Sequence, residues 1–411
     1  MSFIVTAKYS DGAKVLGSGK TATLEKSTPV SEVIKELELG AETTIDKVDY
    51  TVDKDNLYSN IECTDKISGN IEETITVYIK VTKKANAPPT DGIFKIKDVD
   101  GDPSSCIITG YKVEKDELPA ELVIPDTIDG KKVAEIGEKA FYQCTKITTL
   151  DLSNCTQLTS IGESAFWWCG GIEELKLPVS LKSIDEKAFG ECKKIKTLDL
   201  SKCTKLTSIG KEAFKSCTRI NVLDLSKCIK LDSIGDSAFY GCEGINTLDL
   251  PNSLTSIDKH AFCECKNIKV LDLSKCINLD SIGESAFLRC SGIEKLKLPV
   301  SLKSIDESAF RCCKKIETLD LSNFNKLNSI GKMAFWNCGE IAELKLPASL
   351  MQIGEEAFED CTIKKVTFEN TENWKACKFK NCKSIDLSSP KNQADALTKY
   401  SDYEWKREVT P

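Results

Sequence analysis

One five-residue pattern limits what this chain can become. Ala-Phe-x-x-Cys occurs ten times, with Phe at 141, 166, 189, 214, 239, 262, 287, 310, 335 and 358. The steps between these Phe are 25 or 23 residues. The paired cysteines are Cys144, Cys169, Cys192, Cys217, Cys242, Cys265, Cys290, Cys313, Cys338 and Cys361. A fixed period of this length marks stacked supersecondary units, each unable to bury its own apolar face alone.

Between the Phe positions two versions of the unit occur. The longer reads Ile-x-x-Leu-Asp-Leu-Ser-x-Cys-x-x-Leu-x-Ser-Ile-Gly, as in 147–162. The shorter reads Leu-x-Leu-Pro-x-Ser-Leu-x-Ser-Ile, as in 175–184. Leu-x-Leu has the period of a strand, with both Leu on one face and the middle residue on the other. Ala and Cys four apart share a face of a helical turn, so one or two helical turns are expected there. Gly162, Gly210 or Asp185 just before suits a left-handed corner or an N-cap.

These residues resemble a known family. Leu150-x-Leu152-x-x-Cys155 is similar to the general leucine-rich-repeat signature. Leu296 to Ile305 followed by Ala309-Phe310-x-x-Cys313 resembles the BspA-type (Treponema-class) leucine-rich repeat, over about 92–385. The resemblance implies a cell-surface or secreted protein that adheres to host or neighbouring-cell proteins, with no enzymatic activity. It implies a protein ligand as partner, a monomer, and no cofactor.

The array also repeats on a longer scale. Residues 161–210 match 282–331 at an offset of 121, five repeats. Drift between them falls on positions expected to be exposed, such as Trp167 against Leu288 and Trp168 against Arg289.

The ends read differently. Residues 3–9, 20–26, 45–52 and 73–81 suit strands, and Thr28-Pro29 opens a helical pattern through Val30, Val33, Ile34 and Leu37. That order resembles a β-grasp module. The expected fold is thus a small N-terminal α+β (β-grasp-like) domain followed by a right-handed α/β leucine-rich-repeat solenoid. The expected divisions are 1–84 for the domain, 85–91 for a linker and 92–136 for an N-terminal cap. Repeats fill 137–367, and 368–411 form a C-terminal cap and tail with a polar helix near 393–400.

Composition bears on location and chemistry. Twenty cysteines in 411 residues suggest disulfides or metal, but half of them hold one repeat position. Equivalent positions in stacked strands lie ~4.8 Å apart with parallel side chains, which suits a packed column better than bridges. A second column, Cys155, Cys203, Cys228 and Cys276, continues as Phe324, and Phe can replace a buried thiol but not half a disulfide. Cys263 and Cys312 fall off these columns and are expected at the surface. The net charge of −7 argues against a nucleic-acid partner. No apolar run reaches the length of a membrane span. The first residues show no signal peptide, which keeps a cytoplasmic scaffold of the same fold as an alternative to the surface protein.

Two candidate surfaces and one remote chemistry remain. The residue between the strand leucines runs Asp151, Lys176, Asp199, Asp224, Asp249, Asp272, Lys297, Asp320, Lys345. Asp199, Asp224, Asp249 and Asp272 are consecutive: either a solvated, solubilising face or a docking strip for a basic partner. Tyr142, Trp167 and Trp168 follow the Phe anchor and offer an aromatic contact, unless they pack between turns. His260, the single histidine, with Cys263 could be read as a Cys/His hydrolase or, with Cys265, as metal ligands. No orienting acid, oxyanion site or fourth ligand is spaced to complete either, so no catalytic or metal residue is assigned.

Overall fold

A computed structural model describes residues 92–378 and 383–408 in full and, outside these, the backbone of the strands named below. The chain divides into two compact units, Met1–Pro88 and Pro89–Pro411.

In the first unit Ser2–Ser10 pairs antiparallel with Val15–Glu25 and parallel with Ile75–Lys83. Val48–Val52 pairs antiparallel with Ile75–Lys83 and with Glu42–Ile45. Thr28–Pro29, expected to open a helix, pairs instead with Asn70–Ile71. The rest of that expected helix lies outside the described residues.

The second unit is a β-solenoid. Each repeat contributes a Leu-x-Leu strand of two to four residues and a two-residue Ser-Ile strand. The Ser-Ile strands stack in one parallel run from Ser160–Ile161 to Gln352–Ile353, with Ile paired to Ile throughout and Ser to Ser up to the last step, where Ser329 meets Gln352. The Leu strands form the other face in three runs: Glu121–Val123 to Thr247–Asp249, Val270–Asp272 with Lys295–Lys297, and Thr318–Asp320 to Val366–Phe368. Alternation turns Leu and Ile inward, and the leucine and isoleucine columns are buried along the array apart from half-buried Leu296.

Phe fills the space between the two sheets. All ten rings stack, with neighbouring centroids 5.1 to 5.5 Å apart and planes within 11° of parallel. The spacing sits close to the ladder repeat, so one offset stack serves every repeat. Tyr111 stacks on Phe141 at 5.9 Å and ends the column.

The expected helical turns do not form. Each Phe N–H from Phe141 to Phe335 donates to the Ala carbonyl of the next repeat at 2.7 to 2.8 Å, as Phe141 does to Ala165. That bond removes a donor a helix would need. Two left-handed residues per repeat then bend the chain, for example Ser164 (φ 56°) and Trp168 (φ 63°). Nor is Gly162 a left-handed corner. A Cβ there would lie 2.9 Å from the Ile136 carbonyl oxygen, so close approach of backbones demands glycine.

The thiols pack and donate. Nine of the column cysteines give their S–H to the Phe carbonyl of the preceding repeat at 2.9 to 3.3 Å, from Cys169 on Phe141 to Cys361 on Phe335. Cysteine is small, apolar and a weak donor, so it packs in the column and adds a second bond to a carbonyl that, from Phe141 to Phe310, already accepts the N–H of the Cys three residues on. In the second column Phe324 is buried in place of the thiol. Cys263 is buried as well, against expectation, because it is shorter than its column neighbours Tyr240 and Leu288; Cys312 is half-buried.

The tail is part of the cap. Helix Pro390–Lys399 starts at Ser389, whose Oγ accepts from Asn392 N at 3.2 Å. Buried Gln393 accepts from Phe368 N and donates to the Leu387 carbonyl at 3.1 and 3.0 Å. Glu404–Arg407 then pairs antiparallel with Gln352–Ile353 and with Trp374–Lys378, closing the parallel sheet. Trp405 and Trp374 are buried against Phe368. Cys377 is disulfide-bonded, and Cys382 stands opposite it in the register.

Candidate interaction surface

The outward face of the Leu sheet carries the aspartate column, and the structure gives these carboxylates a local task. In each long repeat the Asp Oδ1 accepts from the Ser two residues on: Asp199 from Ser201 N and Oγ at 2.9 and 2.6 Å, Asp272 from Ser274 at 3.1 and 2.5 Å. Asp151 and Asp320 do the same, and Asp224 accepts from Ser226 N at 2.8 Å. This Asx turn closes the strand and leads the chain toward the Cys column.

The turn explains the alternation of charge. Long repeats read Asp-Leu-Ser, where the Ser N–H needs an acceptor. Short repeats read Lys-Leu-Pro at 176–178, 297–299 and 345–347, where proline has no N–H to satisfy. Asp249-Leu-Pro251 departs from this rule: its carboxylate has no such N–H to receive. The same signal was legible as Asp-x-Ser in the sequence, but reading the column only as a row of charges passes over it.

Lysines neutralise part of the column through the second oxygen. Lys176 reaches Asp151 at 3.2 Å, Lys297 reaches Asp272 at 2.8 Å and Lys345 reaches Asp320 at 2.7 Å. Each pair stands directly across one strand step. The hydrogen bond from Lys297, then those from Ser274, hold the Asp272 carboxyl at about 2. Lys345 and then Ser322 hold Asp320 at about 2. The bonds from Ser201 lower Asp199. Among the described residues no lysine or arginine pairs with Asp199, Asp224 or Asp249.

The aromatic edge is more closed. Tyr142 and Trp167 are half-buried and meet edge to face at 6.2 Å, and the Lys187 ammonium stands 5.2 Å from the Trp167 ring. Trp168 is the exposed one, at 49%.

His260 lies edge-on to Tyr240 at 6.5 Å. Burial pushes the Cys263 thiol up to about 12, the reverse of what a thiolate nucleophile requires. Among the described residues no three His, Cys, Asp or Glu gather as metal ligands. Open depressions mark the surface of the described residues. One, of about 230 Å³, runs between Phe358–Cys361 and the 390–399 helix; another, of about 570 Å³, is lined by Glu294, Lys314, Lys315, Glu317 and Glu340.

Leucine strands, an inward thiol column and a stacked Phe core define a leucine-rich-repeat protein. The chain belongs to the BspA-type leucine-rich-repeat family, whose repeat region matches residues 134–269 and 272–386. Solved structures resemble it at lower identity. A leucine-rich repeat protein from Bacteroides ovatus is 22% identical, covering 65% of this chain and 91% of its own, with a TM-score of 0.47. The leucine-rich repeat protein of T. pallidum is 27% identical, covering 49% and 88%, with a TM-score of 0.42. The pneumococcal vaccine antigen PcpA is 18% identical, covering 88% and 96%, with a TM-score of 0.36. No curated protein matches. Membership of this family gives the chain a protein-interaction role. No helix among the described residues is long and apolar enough to cross a membrane.

Proposed function

We propose that this chain is a non-enzymatic adhesion module that binds host or neighbouring-cell proteins at a cell surface, as a monomer. The observation that carries the reading is the outward face of the Leu sheet. It is a rigid, regular strip of side chains, one set per repeat, with charges held in place by turns and without a deep pocket among the described residues. Such a face suits an extended protein partner better than a small substrate. Asp199, Asp224, Asp249 and Asp272 are its central carboxylates, and Trp168, beside Tyr142 and Trp167, is a second contact point. The mixed sheet of residues 2–83, with Ser2–Ser10 parallel to Ile75–Lys83, supports a β-grasp-like module in front.

The test is binding of the full chain, immobilised, to a panel of extracellular matrix proteins and to intact cells, with cytoplasmic proteins as the contrast. Saturable binding to a surface or matrix protein is the expected result. Binding confined to cytoplasmic proteins would favour the scaffold reading, and no binding to any protein would overturn the interaction role. One observation favours the scaffold: seventeen cysteines among the described residues are free thiols, which fits a reducing compartment. Their burial, and the bonded Cys377, are compatible with an oxidising one.

A further inference from the structure

Of the six exposed aliphatic side chains among the described residues, Val179 and Val300 each stand alone after the proline of a short repeat, and the other four fall together. Val222, Ile229, Val270 and Ile277 are 50, 62, 45 and 68% exposed, and all four belong to two long repeats separated by one short repeat. Residues 222–229 and 270–277 have the same sequence, Val-Leu-Asp-Leu-Ser-Lys-Cys-Ile. The other three long repeats carry Thr149, Thr197 and Thr318 at the first position and Thr156, Thr204 and Asn325 at the last. Two outward positions therefore turn from polar to aliphatic together, and do so twice. Core packing asks nothing of an exposed position, so the fold does not account for the change.

The strands place these residues beside the unneutralised carboxylates. Val222 stands opposite Thr247 and Asp224 opposite Asp249. Val222 and Asp224 share the outward face because Leu223 between them is buried. The repeat carrying Val270 and Asp272 comes next in the stack, as the Ser233, Ser256 and Ser281 pairings show. Along the column Asp151, Asp272 and Asp320 each have a lysine, whereas Asp199, Asp224 and Asp249 have none among the described residues. The aliphatic cluster thus overlaps the stretch where the array leaves its negative charge open.

We infer that residues 222–277 form the docking face for a protein segment that combines aliphatic side chains with lysine or arginine. Its aliphatic groups would cover Val222, Val270, Ile229 and Ile277, and its cations would stand against Asp224 and Asp249. Two carboxylates one strand apart repel, and a partner cation relieves that repulsion. On the strand face the paired Asp224 and Asp249 oppose an acidic peptide, a nucleic acid and an anionic membrane, while exposed Lys227, Lys230 and Lys275 flank Ile229 and Ile277 at the turns. The inference rests on the reading of this chain as a protein-binding module and names the chemistry of what it binds.

The experiment uses the full chain on an array of immobilised 15-residue peptides in four classes: basic-aliphatic, basic-polar, acidic-aliphatic and neutral-aliphatic. The basic-aliphatic class is expected to retain the chain about tenfold better than the others, and less as salt rises. Two variants follow. V222T/I229T/V270T/I277T installs threonine, the residue other long repeats carry, and should lose about tenfold with an unchanged melting curve. D224N/D249N keeps the Oδ1 acceptor for Ser226 and should lose affinity together with most of its salt dependence. Equal retention of the acidic-aliphatic or basic-polar class overturns the inference. So does undiminished binding by the threonine variant, or self-association of the chain that this variant abolishes. If no peptide binds while matrix or cell binding stands, the docking face falls and the interaction role survives; if neither binds, both fall.

Discussion

Replacing Asp199 separates the turn from the charge. Its Oδ1 receives two hydrogen bonds from Ser201, at 2.9 Å from N and 2.6 Å from Oγ. Alanine removes both. The site is exposed, so water recovers part of the loss, and the cost should resemble that of deleting a helix N-cap, about 1 kcal/mol. Asparagine keeps the acceptor and removes the charge. It weakens a charge-assisted bond but also relieves the repulsion between Asp199 and Asp224, a few tenths of a kcal/mol each way, so its net effect should be near zero. Urea unfolding followed by far-ultraviolet circular dichroism measures both variants against the parent. Equal losses for alanine and asparagine, or no loss for alanine, would refute the Asx-turn argument. Asp272 adds a pH test. Its folded value of about 2 lies below the unfolded value of about 3.9. Its contribution is therefore complete above about pH 4 and is lost as pH falls toward 2, so D272N should flatten that limb of the acid unfolding curve.

Three further outcomes are expected. Phe239→Ala, in a ring stacked at 5.3 and 5.4 Å on its two neighbours, should cost about 3–5 kcal/mol, while half-buried Trp336→Ala costs much less; equal losses by chemical denaturation would mean that the wrong face is assigned to the core. Thiol titration in denaturant without reductant should find at least seventeen of the twenty cysteines free, and in the native state half-buried Cys312 and Cys361 should react well before the buried thiols; a count near zero would sink the account of thiols as packing groups. Ser216→Gly, at a left-handed position (φ 59°) that the next repeat fills with Gly241, should stabilise by about 0.5–1 kcal/mol in urea titration, the strain relieved exceeding the entropy added to the unfolded chain; destabilisation would mean that Ser216 makes a contact stronger than the strain.

The periodicity determined much of this protein on its own. Leu-x-Leu, Ser-Ile and Ala-Phe-x-x-Cys, recurring at 23 or 25 residues, name the inward and outward positions of every repeat, because strand alternation has only two faces. The replacement of a column cysteine by Phe324 was enough to separate packing from bridging. What the sequence alone could not decide is where backbone donors go. Ala-Phe-x-x-Cys has helical spacing, yet its Phe N–H finds the Ala carbonyl of the next repeat, and that bond exists only once repeats stack. For the same reason the aspartate column reads as loose charge until Asp199 is seen to accept from Ser201. Cys263 looks off-register until Tyr240 and Leu288 rise on either side of it. Glu404–Arg407 reads as a tail until it meets the open edge at Gln352–Ile353. Each of these depends on a neighbour distant in sequence, and only tertiary packing brings that neighbour within a hydrogen bond or a van der Waals contact.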